Sequence, residues 1–490
     1  MAYSREDIRV IRAEVAQFDP SASTAVTGED RAKIEEIFAP VSHGKALDPA
    51  TTLVLGARGA GKSFWASVML NDDTRALADQ LYPRLRLNSL NVRVGYGGIG
   101  GQGVTKAVVD KLVPEASDSE AFWRAVIAKE ARLAAGLPVS HKVSDVLQDL
   151  ADPEDWQDAM AEADTTVGSN GKRVLVIFDA LDTLSGDWER LRELVDGLMR
   201  VVWELRGLSS IRAKLFMRPD QLDELLLRFV ELSKLRSGAA RLEWRGRDLF
   251  GMMFARLAFG SPDVKAAFVN VLSRASLPQA PAGIEGLQDW ALTRDEAMQR
   301  ILFEQLAGPY MGAGPRKGRT YDWPFNHLAD GHDEVTPRSF LILMQRAAAS
   351  TKDTDRETRV LSSDAIRDGL REASRVRIDQ LSSEYPWITR VLLPLAGLRV
   401  PAAPDAFWAR WQESGTVDAA TKLAERSSAL PPIPAVSELP PGKYRREVAL
   451  GGRLAAMGVL ISRNDGRFDM PDLFRVGAAL LKKGGVAPGR

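Results

Sequence analysis

Residues 56 to 63 read Gly56-Ala57-Arg58-Gly59-Ala60-Gly61-Lys62-Ser63, a complete G-x-x-x-x-G-K-[ST] octet. The octet restricts the fold because it functions only between a buried strand and a helix. Its flanks comply. Leu53-Val54-Leu55 is an apolar run that reads as a strand, and Phe64-Trp65-Ala66-Ser67-Val68-Met69-Leu70 continues as a helical pattern. Gly56 and Gly61 let the backbone curl so that successive N–H groups, those of Ala57, Arg58, Gly59 and Ala60 among them, face phosphate oxygens. The helix opened by Lys62, Ser63 and Phe64 offers its positive end to the same anion. Lys62 reaches the β- and γ-phosphates and the Ser63 hydroxyl ligates Mg²⁺. The pattern implies a nucleoside triphosphate site, and the absence of an N-K-x-D guanine-reading pattern favours ATP.

A second run, Val174-Leu175-Val176-Ile177-Phe178, ends in Asp179-Ala180-Leu181-Asp182. Five consecutive apolar residues before an acid describe a strand covered on both faces, with a carboxylate at its C-terminal end. Ligands of open α/β sheets sit at that end. Asp179 is thus placed to hold Mg²⁺ through water, opposite Ser63, and Asp182 to orient an attacking water. A third run, Ile211 to Met217, ends in Arg218-Pro219-Asp220. An arginine at the tip of a neighbouring strand can contact a γ-phosphate.

These motifs resemble the additional-strand class of P-loop NTPases. Two groups within it are the nearest in kind: the signal-transduction ATPases with numerous domains (STAND), and the origin-recognition-like branch of the AAA+ ATPases. The resemblance extends to Val335-Thr336-Pro337-Arg338-Ser339-Phe340, which opens a helical pattern through Leu341, Leu343, Met344 and Ala347. It implies that Pro337 or Arg338, at the start of a lid helix, contacts the nucleotide. It also implies an ATPase whose catalytic residues are Lys62, Asp179, Asp182 and Arg218. One departure bears on turnover: Ala180 stands where many such enzymes carry a glutamate base.

The expected architecture is α/β. A P-loop parallel sheet spans residues 51–245 after a leading segment at 1–50, followed by a helical lid at 246–355. A helical region with a Pro-rich linker covers 356–435 and a winged-helix-like domain covers 436–490. The last rests on a helix through Val448, Leu450, Leu454 and Met457, then Val459-Leu460-Ile461, an Asn464-Asp465-Gly466 turn and a return run through Phe468 and Met470. An Asp-Gly turn between apolar runs is a strong hairpin signal. From Leu439 to Arg490 ten basic side chains face four acidic ones, a net of +6. Arg463 and Arg467 on the wing are therefore candidates for duplex DNA phosphates.

Other features bound the function. The chain of 490 residues has a formal net charge of zero, 45% hydrophobic content and no cysteine, which excludes disulfides and cysteine-held metal. The N-terminus shows no secretory signal and no apolar run is long enough for a bilayer, so a cytoplasmic protein with no membrane partner is expected. A helix cap is expected at Thr27-Gly28-Glu29-Asp30. Gly98-Ile99-Gly100-Gly101-Gln102-Gly103 matches a dinucleotide fingerprint but reads better as a loop near the active face. Arg316, Lys317 or Arg319 in the Gly312–Arg319 loop could serve a neighbouring subunit as a finger. The four histidines form no zinc motif. The leading functional expectation is an ATP-dependent switch acting through a homo-oligomer or a partner protein, in bacterial conflict or stress response. The alternatives are a DNA-binding initiator, loader or transcription regulator, and a nucleotide-binding scaffold with negligible turnover.

Overall fold

The apolar run before the octet forms strand β1 (Leu53–Leu55). Four further strands join it: β2 (Leu90–Tyr96), β3 (Arg173–Phe178), β4 (Ile211–Met217) and β5 (Ala240–Arg241). The computed structural model describes residues 4–20, 31–98, 103–225, 232–354 and 358–488. The expected cap at residues 27–30, and the middle of the residue 98–103 glycine motif, lie outside the described residues.

All pairings in this five-stranded sheet are parallel, in the order β2-β3-β4-β1-β5. Strand β4 therefore lies between the octet's strand and the acidic strand, pairing Leu215 with Leu53 and Ala213 with Val176. This inserted strand is what the expected additional-strand class requires. The chain leaves β1 for the far edge and returns, so the C-terminal ends of β1, β3 and β4 open on one crevice.

Burial follows the sequence pattern. Val174 to Phe178 are each at most 1% exposed, as a strand covered on both faces must be. Helices Ser119–Ala135, Pro153–Ser169 and Trp188–Glu204 pack their apolar residues with the sheet into one core. Trp123 meets Phe178 edge to face at 5.7 Å, and its indole N–H donates to the Leu194 carbonyl at 2.8 Å. Lys214, in the middle of β4, is completely buried. Its ammonium donates to the carbonyls of Ala46, Asp48 and Thr51 at 2.8, 2.9 and 2.6 Å, which uses all three of its protons. Burial pulls its pKa down to about 7. This cation ties the segment that feeds β1 to the sheet.

The chain divides into two compact units, residues 21–243 and residues 1–20 with 244–490. The leading fifty residues are thus shared between units. Helix Arg5–Val15 buries Ile8, Ile11 and Val15, while Arg9 and Arg12 pair with Asp353 at 2.8 and 2.5 Å. Those contacts draw it to the second unit. That unit's core gathers Phe250, Phe303, Tyr321 and Phe340, with Phe250 stacked on Tyr321 at 4.2 Å.

The expected hairpin is present: β6 (Arg399–Val400) pairs elsewhere, while β7 (Ile461–Ser462) and β8 (Phe468–Asp469) run antiparallel across a turn with Gly466 at φ 78°. Helix Arg445–Ala456 precedes it, and Ala402 bridges to Phe468. Strand β6 pairs in parallel with β9 (Leu481–Lys482). Among the described residues, no helix is long and apolar enough to cross a membrane.

Candidate nucleotide site

The octet forms a loop between β1 and helix Lys62–Leu70. Gly59 and Gly61 adopt φ of 84° and 100°, conformations that cost a side chain energy, and so set the loop's curl. Gly61 is the helix N-cap. A Cβ on Gly56 would sit 3.1 Å from that of Ala60 and 3.3 Å from that of Leu242, so this position is tight although its φ is ordinary. Ala57, Arg58 and Phe64 are half-buried and Ala60 is buried. The Lys62 ammonium folds back on the loop, donating to the carbonyls of Gly56 at 2.8 Å and Ala57 at 3.1 Å. Burial lowers its pKa to about 8, against the pull of Asp179.

Asp179 follows the last residue of β3, and its amide donates to the Tyr96 carbonyl of β2 at 2.9 Å. The carboxylate is 1% exposed and accepts a hydrogen bond from Ser63. Burial raises its pKa; the Ser63 bond and Lys62 oppose the rise. Its Oδ2 atom is buried without a hydrogen-bond partner among the described residues. An unsatisfied buried carboxylate oxygen is costly, and one beside a phosphate-loop serine suits a hydrated Mg²⁺. Ser63 and Asp179 therefore fit that ion, which would spread the negative charge of the phosphates.

Ala180 adopts φ 53°, a left-handed conformation unusual outside glycine and asparagine. A Cβ on Gly98 would lie 2.9 Å from the Ala180 Cβ, so Gly98 itself is close to Ala180. The Thr183 hydroxyl donates to the Ala180 carbonyl at 2.8 Å and shares a 2.8 Å bond with the Tyr96 hydroxyl. Asp182, one turn on, is 41% exposed.

Arg218 follows β4 with its side chain only 10% exposed. The guanidinium grips Asp220 through Nε and Nη2 at 3.2 and 3.1 Å, and Nη1 lies 3.9 Å from Asp182. Its amide donates to the Gln221 side chain. Lys62 feels the charges of Asp179, Arg218, Asp182 and Asp220 together. The four expected catalytic side chains thus share one site, and Asp220 joins them. The Arg-x-Asp spacing at the strand tip was the available signal for Asp220.

His43 is another residue that sequence reasoning passed over. It is fully buried behind the loop's helix, and burial lowers its pKa to about 4. Trp65 on that helix donates its indole N–H to His43 Nδ1 at 3.1 Å, so the neutral ring carries its proton on Nε2, facing the Glu243 carbonyl at 3.2 Å.

Pro337 and Arg338 belong to the second unit. Pro337 is the first residue of helix Pro337–Ser350, whose N-cap Thr336 accepts from the Ser339 amide. Arg338 donates to the Pro20 carbonyl at 3.2 Å. In the Gly312–Arg319 loop, Arg319 pairs with Glu304 at 3.0 Å, while Arg316 and Lys317 are exposed.

The C-terminal positive surplus is smaller than its count suggests. Arg475 is completely buried, held by Asp472 at 2.6 Å and by the Leu480 and Val486 carbonyls. His327 contacts the other oxygen of Asp472 at 2.5 Å, and these partners draw the Asp472 pKa down to about 2. On the hairpin, Arg463 pairs with Asp469 at 3.2 Å and Arg467 with Asp465 at 2.7 Å.

No protein-family model matches the chain, and comparison with curated proteins finds no match. Among solved structures, the ORC2 protein of Aeropyrum pernix, determined as ADPNP-ADP complexes, aligns at 13% identity over 93% of this chain and 98% of that one, with a TM-score of 0.32. Cdc6p of Pyrobaculum aerophilum aligns at 12% identity over 90% of each chain, with a TM-score of 0.28.

Proposed function

We propose that the chain binds Mg-ATP at the octet and hydrolyses it slowly, as an AAA+-like or STAND-like switch whose nucleotide state controls a partner protein or its own assembly. The observation that carries the reading is Asp179: a buried carboxylate, bonded to Ser63 and within electrostatic reach of Lys62, with one oxygen unsatisfied among the described residues. In this reading the loop amides and Lys62 hold the phosphates, and Ser63 and Asp179 position the ion. Arg218 senses the terminal phosphate, and Pro337 or Arg338 reports it to the lid helix. Asp182 orients water in place of the glutamate that Ala180 displaces. Slow turnover is expected because Asp182, 41% exposed, must act from a different position than the missing glutamate.

The test is calorimetric titration with ATP, with and without Mg²⁺, followed by phosphate release and hydrogen exchange of the bound states. Mg²⁺-dependent ATP binding lost in Lys62→Ala and Asp179→Asn is the expected result. Equal heats for wild type and Lys62→Ala would remove the reading. Identical exchange profiles with ATP, ADP and no nucleotide would remove the switch while leaving the site.

A second reading, a DNA-binding ATPase with a winged helix at 436–490, is favoured by the hairpin bridged to Ala402 behind helix Arg445–Ala456. Arg467, in an exposed pair with Asp465, would exchange carboxylate for phosphate at little cost, while Arg463 would leave the buried Asp469 to its second cation, Lys482. Salt-dependent binding to duplex DNA, reduced by neutralising both, is its expected signature.

A further inference from the structure

Arg218 and Asp220 meet along matched edges, Nε to Oδ1 at 3.2 Å and Nη2 to Oδ2 at 3.1 Å. A two-point guanidinium–carboxylate pair is directional, and the same planar fork fits a phosphate equally well. The pair is largely enclosed, at 10% and 30% exposure, so solvent and salt weaken it less than a surface pair. Gly56, the first residue of the octet, donates its amide to the carbonyl of Met217 at 3.1 Å, so Arg218 leaves β4 beside the start of the phosphate loop, and Lys62 feels the charges of both Arg218 and Asp220. The fork that would serve a terminal phosphate is engaged by the Asp220 carboxylate.

We propose that Asp220 is a positioning residue that competes with the terminal phosphate of bound nucleotide for the Arg218 guanidinium. The inference rests on the Mg-ATP reading of the octet. A diphosphate has no group to take the fork, so Arg218 stays on Asp220. A triphosphate must displace the carboxylate, and part of its binding energy is consumed in that exchange. The exchange also withdraws the guanidinium from Asp182, whose oxygen lies 3.9 Å from Nη1, and leaves that carboxylate free to face water. Asp220 thereby sets how strongly the site distinguishes ATP from ADP, which is the differential affinity any nucleotide switch requires.

The experiment measures ATP and ADP dissociation constants, with Mg²⁺, for the full chain and for Asp220→Asn, Arg218→Ala and the double variant. Removing the competitor is expected to shift the ATP-over-ADP preference about fivefold or more toward ATP, the lower range of a typical coupling. In the Arg218→Ala background the same substitution is expected to leave the preference unchanged. A general loss of negative charge would instead favour ATP in both backgrounds. Arg218→Lys keeps the charge but loses the fork, and is expected to move the preference toward unity, so the idea stays testable if Asp220→Asn does not fold. An unchanged preference in Asp220→Asn, or the same shift in both backgrounds, overturns the proposal. Absence of Mg²⁺-dependent ATP binding in wild type overturns the site reading instead.

Discussion

Asp179→Asn is expected to stabilise the nucleotide-free protein while abolishing its response to Mg-ATP. The buried carboxylate carries one oxygen without a partner among the described residues, and burial outweighs both the Ser63 bond and the pull of Lys62 in setting its pKa. Lys62 loses little, because its ammonium already donates to two loop carbonyls. An unsatisfied buried group costs about 1–3 kcal/mol. Allowing for the amide's own imperfect pairing, a gain of about 1 kcal/mol is expected, or roughly 2–4 °C for a unit of this size. The sign also depends on pH. A folded-state pKa above the ordinary 3.8 means the native state binds more protons, so this group's contribution to stability falls as pH rises through the raised value. The advantage of the asparagine variant should therefore be present at neutral pH and vanish below 3.8, where the wild-type carboxyl is neutral in both states. Saturating Mg-ATP reverses the order, since a ligand at a hundred times its dissociation constant adds about 2.7 kcal/mol to wild type. Differential scanning calorimetry of both proteins across pH, with and without Mg-ATP, measures all of this. A nucleotide-free variant less stable than wild type at pH 7, or one stabilised by Mg-ATP as strongly as wild type, would refute the reasoning.

Asp182→Asn should leave the ATP dissociation constant nearly unchanged and lower the single-turnover rate about 10²-fold or more, as loss of a general base does; an unchanged rate assigns the water to another group. His43, held neutral with a pKa of about 4 against an ordinary 6.5, makes the sheet unit lose stability as pH falls through that window, by roughly 3 kcal/mol. His43→Asn, which keeps an acceptor for Trp65, should flatten that slope in urea titrations at pH 4 to 7. Arg475→Ala should destabilise the second unit by about 3–5 kcal/mol, because Asp472 stays buried with half its compensation removed. A denaturant midpoint matching wild type would contradict that account.

Much of the site was legible because its chemistry is local. The octet, the acid after five apolar residues and the arginine at a strand tip each declare themselves within ten residues. Gly59 and Gly61 take the left-handed angles a phosphate-binding loop needs, and Val174 to Phe178 are buried as their unbroken apolarity required. The Asp-Gly hairpin was equally readable, since a two-residue alternation and a turn residue need no distant partner.

What depended on distant partners was not readable. Nothing in Ile211 to Met217 distinguishes Lys214 from a solvated strand lysine; only the return of residues 46–51 supplies the three carbonyls that bury it. His43 becomes a neutral acceptor because Trp65 and Glu243, far apart in sequence, close around it. The C-terminal charge count treated Arg475 as surface charge, whereas Asp472 and two carbonyls internalise it. The sequence by itself determined that a phosphate-binding loop lies between a strand and a helix, with an acid on another strand. Tertiary structure decided that β4 separates those strands, that Arg218 is gripped by Asp220, and that one oxygen of Asp179 has no partner among the described residues. The physical reason is that a motif fixes its own backbone, while burial, pairing and pKa are set by whichever chain segments the sheet order brings alongside.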